Sequence, residues 1–276
     1  MSFDRQGAAT RSEDLCRYGA SRIMCRGPAH DLSPPYFAFL GEGETFGRFV
    51  KMPYPTLVEE ITGHSCVNLG CANGGIDTYL QDPDLMTIAR QAERAVVQVM
   101  GAQNLSNRYF RVHPRRNDRF VEPTILLVKA FPEADFSEIN FNKHLLQTLY
   151  RISPRRCNLV VEELKLTWVD RMREMLRGFK RRPVLLWLRY DNTRGADESV
   201  GLGPNPLLVD RKMIQKLGDD AAELVEIAVK PAGATGEMDR MSFGALETPA
   251  AAHLIGPRFH GRIATRLSAV FPPGPE

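Results

Sequence analysis

The sequence has no long hydrophobic run and little net charge. Its apolar stretches, such as residues 125–128 and 183–188, fall far short of the ~18 residues that a membrane-spanning helix needs. The 36 basic and 33 acidic residues leave a formal charge of +3, whereas a protein that binds a long polyanion is expected to be strongly basic. We therefore expect neither a membrane span nor an extended nucleic-acid partner.

The sequence also lacks the cysteine patterns of disulfide-rich and zinc-binding proteins. Its five cysteines are odd in number and include no Cys-x-x-Cys pair, and its six histidines do not fall at metal-ligand spacing. We expect no metal site and no cofactor. Residues 1–26 mix acidic with basic side chains and contain no apolar segment typical of a signal peptide, so a cytoplasmic protein is expected.

Short apolar runs alternate with longer amphipathic windows from residue 36 onward. This alternation is typical of β-α-β units. It predicts an α/β fold, a three-layer sandwich with a central parallel sheet of about five strands. Residues 1–35 are predicted to be an N-terminal extension, and residues 36–270 a single α/β domain. The predicted strands are 36–40, 66–69, 95–100, 184–188 and 224–229.

Proline and glycine mark the ends of several predicted helices. One helix has Pro53 and Pro55 in its first turn and ends at Gly63, and Asp82 with Pro83 opens the next. A longer helix is predicted over residues 158–180, within a helical excursion that covers 121–180. Residues 191–206 are predicted to be a long surface loop that could act as a flap.

Three consecutive predicted strands are followed by loops rich in glycine and amide residues, at 41–47, 68–75 and 101–108. Ligands of open parallel sheets bind at the carboxyl ends of strands, where converging amides form an oxyanion or anion pocket. The first loop has an alternative role as a tight turn that needs glycine dihedrals. The pocket residues expected from these loops are Gly43, Asn73, Gly74, Gln103 and Asn104.

The three loops resemble the sequence blocks of the SGNH, or GDSL-like, hydrolase superfamily. Residues 41–47 are similar to the first block, Gly-Asp-Ser-x-Thr-x-Gly; residues 68–74 are similar to the second, and 101–104 to the third, Gly-x-Asn-Asp. The resemblance implies an SGNH-like or flavodoxin-like strand order. It also implies a hydrolase, or an acyl or sulfuryl transferase, for a polar substrate of anionic or saccharide type.

The position of the nucleophilic serine in that superfamily is Gly43 here. Glycine cannot form an acyl-enzyme, so an unmodified serine-esterase mechanism is not expected. Thr45 is the nearest hydroxyl, and it is expected to line the site together with Glu44. By resemblance, the general base is a histidine close to the last helix, either His260 or His253, and Glu247 would orient it. Either histidine could instead be a helix cap or a hydrogen-bonded core residue.

Longer strings resemble a bacterial domain family of unknown function. They read Glu-Thr-Phe-Gly-Arg-Phe-Val at 44–50, Asn-Leu-Ser-Asn-Arg at 104–108 and Val-His-Pro-Arg-Arg-Asn-Asp-Arg-Phe at 112–120. This second resemblance covers most of the chain. It implies no reaction.

Residues 108–119 form an arginine cluster, with five arginines and one histidine within twelve residues. Guanidinium groups hold phosphate, sulfate or carboxylate through forked hydrogen bonds, so a small anionic ligand is expected. The alternative is a solvated loop tethered by salt bridges to Asp118, Glu122 and Glu133. The residues expected to bind the anion are Arg108, Arg111, His113, Arg115, Arg116 and Arg119.

Two functions therefore remain open. The first is an SGNH-like enzyme in which the loops and the arginine cluster hold a small anionic or saccharide-like substrate. The second is a non-catalytic binding or assembly protein that keeps the SGNH scaffold and holds an anionic ligand or partner through the arginine cluster. A homo-oligomer is compatible with both.

Overall fold

The computed structural model describes residues 15–191 and 202–271. Among these residues, five strands form one central sheet, in which every neighbouring pair is parallel. In chain order the strands are β1 (Leu15–Cys16), β2 (Cys25–Arg26), β3 (Tyr36–Leu40), β4 (Ser65–Asn68), β5 (Arg94–Gln98), β6 (Phe110–Val112), β7 (Phe120–Pro123), β8 (Val184–Tyr190) and β9 (Glu223–Val229).

The central sheet has the strand order β4-β3-β5-β8-β9. Counted within the sheet this is 2-1-3-4-5, the flavodoxin-like order. The predicted α/β class, with a three-layer arrangement and a five-stranded parallel sheet, is confirmed. Each predicted central strand is present, with ends shifted by no more than two residues.

Helices cover both faces of this sheet. They are α1 (Gly43–Phe46), α2 (Tyr54–Thr62), α3 (Ile76–Leu80), α4 (Pro83–Gln91), α5 (Ile125–Ala130), α6 (Asn142–Ile152), α7 (Pro154–Arg177), α8 (Arg211–Gln215), α9 (Ala232–Thr235), α10 (Thr248–His253) and α11 (Pro257–Ser268). None of the described helices is long and apolar enough to cross a membrane.

Strand β3 shows why the sheet is buried on both faces. Its five residues, Tyr-Phe-Ala-Phe-Leu, are all buried, as expected for a parallel strand with helices above and below. Phe37 and Phe39 join the core under α2 and α11. Ala38 and Leu40 join the larger core, which includes residues of α4 and α7.

Local sequence signals set several helix ends. Gly63 ends α2 with a φ of 70°, and the Asp82 side chain accepts the Leu85 N–H at the start of α4. The long helix α7 begins at Pro154, earlier than predicted, because Ser153 caps it by accepting the Arg156 N–H.

The arginine cluster lies mainly on a β-hairpin that was not predicted from the sequence. Strands β6 and β7 form an antiparallel hairpin, and residues 113–119 connect them. The predicted flap at 191–206 falls largely outside the described residues. Residues 15–26 pack Cys16, Tyr18 and Cys25 into the larger core.

Candidate functional site

A cleft of about 190 Å³ lies at the carboxyl ends of β3, β4, β5 and β8. The chain crosses from β3 to β4 on one side and returns to β5 on the other, so the cleft occupies the topological switch point, where doubly wound sheets bind ligands. The described residues that line it are Glu42, Gly43, Glu44, Ala72, Asn73, Gly74, Gln98, Val99, Gly101, Gln103, Asn104, Asp118, Leu188, Tyr190, Asn205, Pro206, Leu207 and Leu254.

Glu44 is held in the cleft by hydrogen bonds to both carboxylate oxygens. The Tyr190 hydroxyl donates to Oε1 at 2.6 Å, and Gln98 Nε2 donates to Oε2 at 3.0 Å. The amide of Gln98 is fixed in turn, because its Oε1 accepts from the Thr45 hydroxyl and from the Glu42 N–H. Burial raises the pKa of Tyr190 well above its ordinary value, which keeps its proton available to Glu44. The orientation of the Glu44 carboxyl group is therefore fixed by its neighbours.

Glu42 lies beside Glu44 in a different environment. Burial, with a smaller contribution from the Glu44 charge, raises the pKa of Glu42 to about 8. The Gly101 N–H and the Asn104 side chain donate to this carboxyl group and oppose the shift. Its Oε1 is buried and has no hydrogen-bond partner among the described residues. At neutral pH, Glu42 is thus a protonated acid beside the carboxyl group of Glu44.

Asp118 supplies a third carboxyl group from the segment between β6 and β7. Burial raises its pKa, while the charges of Arg116, Arg119 and His113 act in the opposite direction. Asp118 Oδ1 is buried and unpartnered in the described part of the chain, as is Oε1 of Gln103. No lysine, arginine or histidine is among the described residues that line the cleft.

Buried amides position this side of the cleft. Asn142 Nδ2, at the start of α6, donates to Asn104 Oδ1 at 3.2 Å and to the Asn117 carbonyl. Asn117 Oδ1 accepts both the backbone N–H and the hydroxyl of Thr78 in α3. Because Asn117 precedes Asp118, these bonds also fix where the Asp118 backbone lies.

The structure places Thr45 outside the cleft. Its side chain is fully buried, and its hydroxyl is enclosed between Gln98 of β5 and Tyr54 of α2. The prediction that Thr45 lines the site is therefore wrong, because this hydroxyl cannot meet a ligand there. Glu44, the residue predicted alongside it, does line the cleft.

Neither predicted histidine base reaches the cleft. His260 is buried in α11, where Nδ1 accepts the Tyr54 N–H at 3.1 Å and the ring stacks on Tyr54. Burial, aided by the charge of Arg26, lowers the pKa of His260 to about 3. His260 is thus a neutral core residue, the alternative left open by the sequence. His253 is exposed at the end of α10, and Glu247 pairs with Arg48.

The cationic residues of the arginine cluster do not line the cleft either. Arg108 pairs with Glu163 at 2.6 Å, Arg111 donates to the Asn107 carbonyl, and Arg119 stacks on Phe141. His113 Nδ1 accepts the N–H groups of residues 115 and 116, both exposed. The anion pocket predicted from this cluster is therefore not part of the cleft, because these contacts lie elsewhere on the hairpin and on its neighbours.

The predicted loop residues are brought together. Gly43, Asn73, Gly74, Gln103 and Asn104 all line the cleft.

Sequence reasoning missed other cleft residues, namely Glu42, Gln98, Asp118 and Tyr190. One signal was available for Gln98, the one polar residue in the predicted strand 95–100. A signal was also available for Glu42, since an acidic residue follows the glycine in the similar SGNH block. Across the described residues, no group of three or more His, Cys, Asp or Glu side chains is arranged to hold a metal ion.

One protein-family model matches residues 1–273, and it is described as a domain of unknown function (DUF6473). No curated protein matches the sequence.

Proposed function

The chain belongs to the DUF6473 family of domains of unknown function, and we propose that its cleft is the active site of a hydrolase or group transferase. The proposed substrate is a polar, saccharide-type molecule, and the proposed chemistry is acid–base catalysis by carboxyl groups. The expected resemblance to SGNH hydrolases remains a prediction, and the mechanism proposed here does not use a serine.

The observation that carries this proposal is the difference in environment between the neighbouring carboxyl groups of Glu42 and Glu44. Glu42 keeps its proton near neutral pH and has one oxygen without a partner, whereas Glu44 accepts hydrogen bonds on both oxygens. Two neighbouring carboxyl groups, one of which burial keeps protonated near neutral pH, are suited to the roles of general acid and base. Glu42 would donate its proton to the leaving oxygen.

Carboxyl groups are also the reactive groups that this cleft offers. Its described lining contains no serine, threonine, cysteine or histidine. A carboxylate can attack a sugar carbon or remove a proton from an attacking water while a second carboxyl group protonates the leaving group. Glu44 and Asp118 are the candidates for the first role, and Glu42 for the second.

The binding or assembly role based on the arginine cluster gains less support. Arg108, Arg111 and Arg119 are each engaged by a neighbouring group of the same chain. Arg115 and Arg116 are exposed. These contacts favour the alternative of a tethered surface hairpin, with Glu163 as the carboxylate that pairs with Arg108.

The test is turnover of a panel of nitrophenyl glycosides and esters by the wild-type protein and by Glu42→Gln. We expect the substitution to lower kcat/KM by roughly 10²–10⁴, the usual contribution of a general acid. Wild-type turnover should fall as the pH rises past about 8, where Glu42 loses its proton. Glu60→Gln, which changes an exposed glutamate of α2, is the matched control.

Equal turnover by the Glu42→Gln and wild-type proteins would overturn the proposed role of Glu42. A panel on which the wild-type protein shows no turnover at all would count against the enzyme itself.

A further inference from the structure

Five hydrogen-bond donors of the cleft are used within the protein. Gln98 Nε2 and the Tyr190 hydroxyl donate to Glu44, and Asn104 with the Gly101 N–H donates to Glu42. The Gly74 N–H donates to the Cys71 carbonyl. These five donors are therefore already engaged before a ligand binds.

Two hydrogen-bond acceptors of the cleft, in contrast, have no partner within the part of the protein that the structure describes. Asp118 Oδ1 and Gln103 Oε1 are buried, line the cleft and have no partner among the described residues. A buried acceptor without a partner is costly, because it has lost its water without gaining a hydrogen bond. An N–H or O–H group of a ligand would remove this cost at both atoms. Glu42 Oε1, the third unpartnered oxygen, can carry the proton of that carboxyl group.

The charge of the cleft determines which hydrogen-bond donors of a ligand it favours. The cleft contains the carboxyl groups of Glu44 and Asp118 beside the protonated Glu42 and, in the described lining, no cationic side chain. Arg116, Arg119 and His113 act on Asp118 through their charge, which favours its ionised form. No ion pair within the described parts of the chain joins these residues to Asp118, and its buried Oδ1 has no hydrogen-bond partner there. An anionic group would be repelled here, and a cationic one attracted.

We infer that the substrate of this cleft carries a protonated amino group, as an amino sugar does, and that Asp118 and Gln103 accept its N–H bonds. An ammonium group fits because it presents three donors and a compact positive charge. The inference rests on the proposed function and narrows its substrate class. It replaces the anionic ligand expected from the sequence.

The test is a calorimetric titration of the whole chain with three matched probes, D-glucosamine, D-glucose and D-glucuronate, near pH 6.5, where amines and most carboxyl groups are both ionised. Glucosamine should bind at least tenfold more tightly than glucose, and glucuronate more weakly than either.

Two substitutions remove the proposed acceptors separately. Asp118→Asn should abolish the preference for glucosamine over glucose, and Gln103→Met, which keeps the chain length but removes the acceptor, should reduce it. Asp219→Asn, at an exposed aspartate that does not line the cleft, is the charge-matched control and should keep the full preference. Circular dichroism of each variant shows whether it is folded.

Three results would overturn the inference: no detectable binding of glucosamine at high millimolar concentration, equal or tighter binding of glucuronate, or an unchanged preference in both acceptor variants. Binding needs no turnover, so these results are distinct from failure of the proposed function. The Glu42→Gln variant separates the two further, since it should lose turnover while keeping the preference for glucosamine.

Discussion

At the scale of single residues, Glu42 and His260 are both ionisable groups that burial holds in their neutral forms. The pKa of Glu42 is raised to about 8 and that of His260 is lowered to about 3. His260 uses its neutral state to accept the Tyr54 N–H. Glu42 Oε1 has no such partner in the described structure, so the burial of Glu42 lowers the stability of the fold. The position of Glu42 in the cleft explains why a destabilising residue is present.

Replacing Glu42 with glutamine should stabilise the protein at alkaline pH. The unfolded chain ionises Glu42 near pH 4.3, at about its reference value, whereas the folded chain does so at about 8. Over this interval the unfolded state loses a proton that the folded state retains, so the stability of the wild-type protein falls as the pH rises and then levels off above about 8. Glutamine is isosteric with the protonated acid and lacks this titration.

We therefore expect Glu42→Gln to raise the free energy of unfolding at pH 8.5 by on the order of 2–4 kcal/mol, with little change at pH 4. Urea unfolding at both pH values measures this difference. The control Glu60→Gln should leave the pH dependence as it is in the wild-type protein. If Glu42→Gln and wild-type stabilities differ by the same amount at both pH values, Glu42 does not titrate as inferred.

At the scale of secondary structure elements, α1 and α2 end alike but in different surroundings. Gly47 follows α1 with a φ of 67°, and Gly63 follows α2 with a φ of 70°. A Cβ at Gly47 would overlap Pro53, whereas nothing lies within 4 Å of one at Gly63. The two positions thus share the left-handed backbone but not the space around it.

Alanine at these two glycines should separate backbone strain from crowding. Gly63→Ala is expected to cost about 1 kcal/mol, the strain of a left-handed alanine. Gly47→Ala should cost more, about 3 kcal/mol, because the chain after α1 must also move away from the new methyl group. Chemical unfolding of both variants gives the comparison. Equal losses would show that the loop after α1 relaxes freely.

The central strands could be predicted because their signals are local. The apolar run at 36–40 predicts its strand with the observed ends, and Gly63 and Asp82 mark helix ends by their own chemistry. The β6–β7 hairpin could not be predicted in this way. Its strands are three and four residues long, and exposed residues interrupt their apolar pattern.

The candidate site was only partly predictable for a related reason. Strand order and loop position bring Gly43, Asn73 and Asn104 together, and both could be inferred from the sequence. Which way a side chain points within a loop or helix depends on tertiary packing. Thr45 and His260 are directed into the interior by their contacts with Tyr54, and a linear pattern does not contain that information.

At the scale of the whole molecule, the small net charge hides two regions of opposite sign. Residues 103–119 hold five arginines and one aspartate, a charge of +4, which leaves −1 for the other residues of the chain. The cleft beside this hairpin contains three carboxyl groups. Asp118 belongs to both regions, because it lines the cleft and lies between two arginines in sequence.

The proposed cleft chemistry predicts that the exposed arginines of the hairpin are dispensable for ligand binding. In the double variant Arg115→Gln/Arg116→Gln, two exposed cations near Asp118 are removed, and solvent screens most of their effect on the cleft. We expect glucosamine affinity to stay within about threefold of the wild-type value, because the removal of like charge favours binding while the loss of Arg116 weakens the support for the ionised form of Asp118. Arg181→Gln/Arg182→Gln removes the same charge from exposed positions just before β8 and is the control. If only the hairpin variant loses binding or turnover, the arginine cluster belongs to the functional site after all, since general charge effects would appear in both variants.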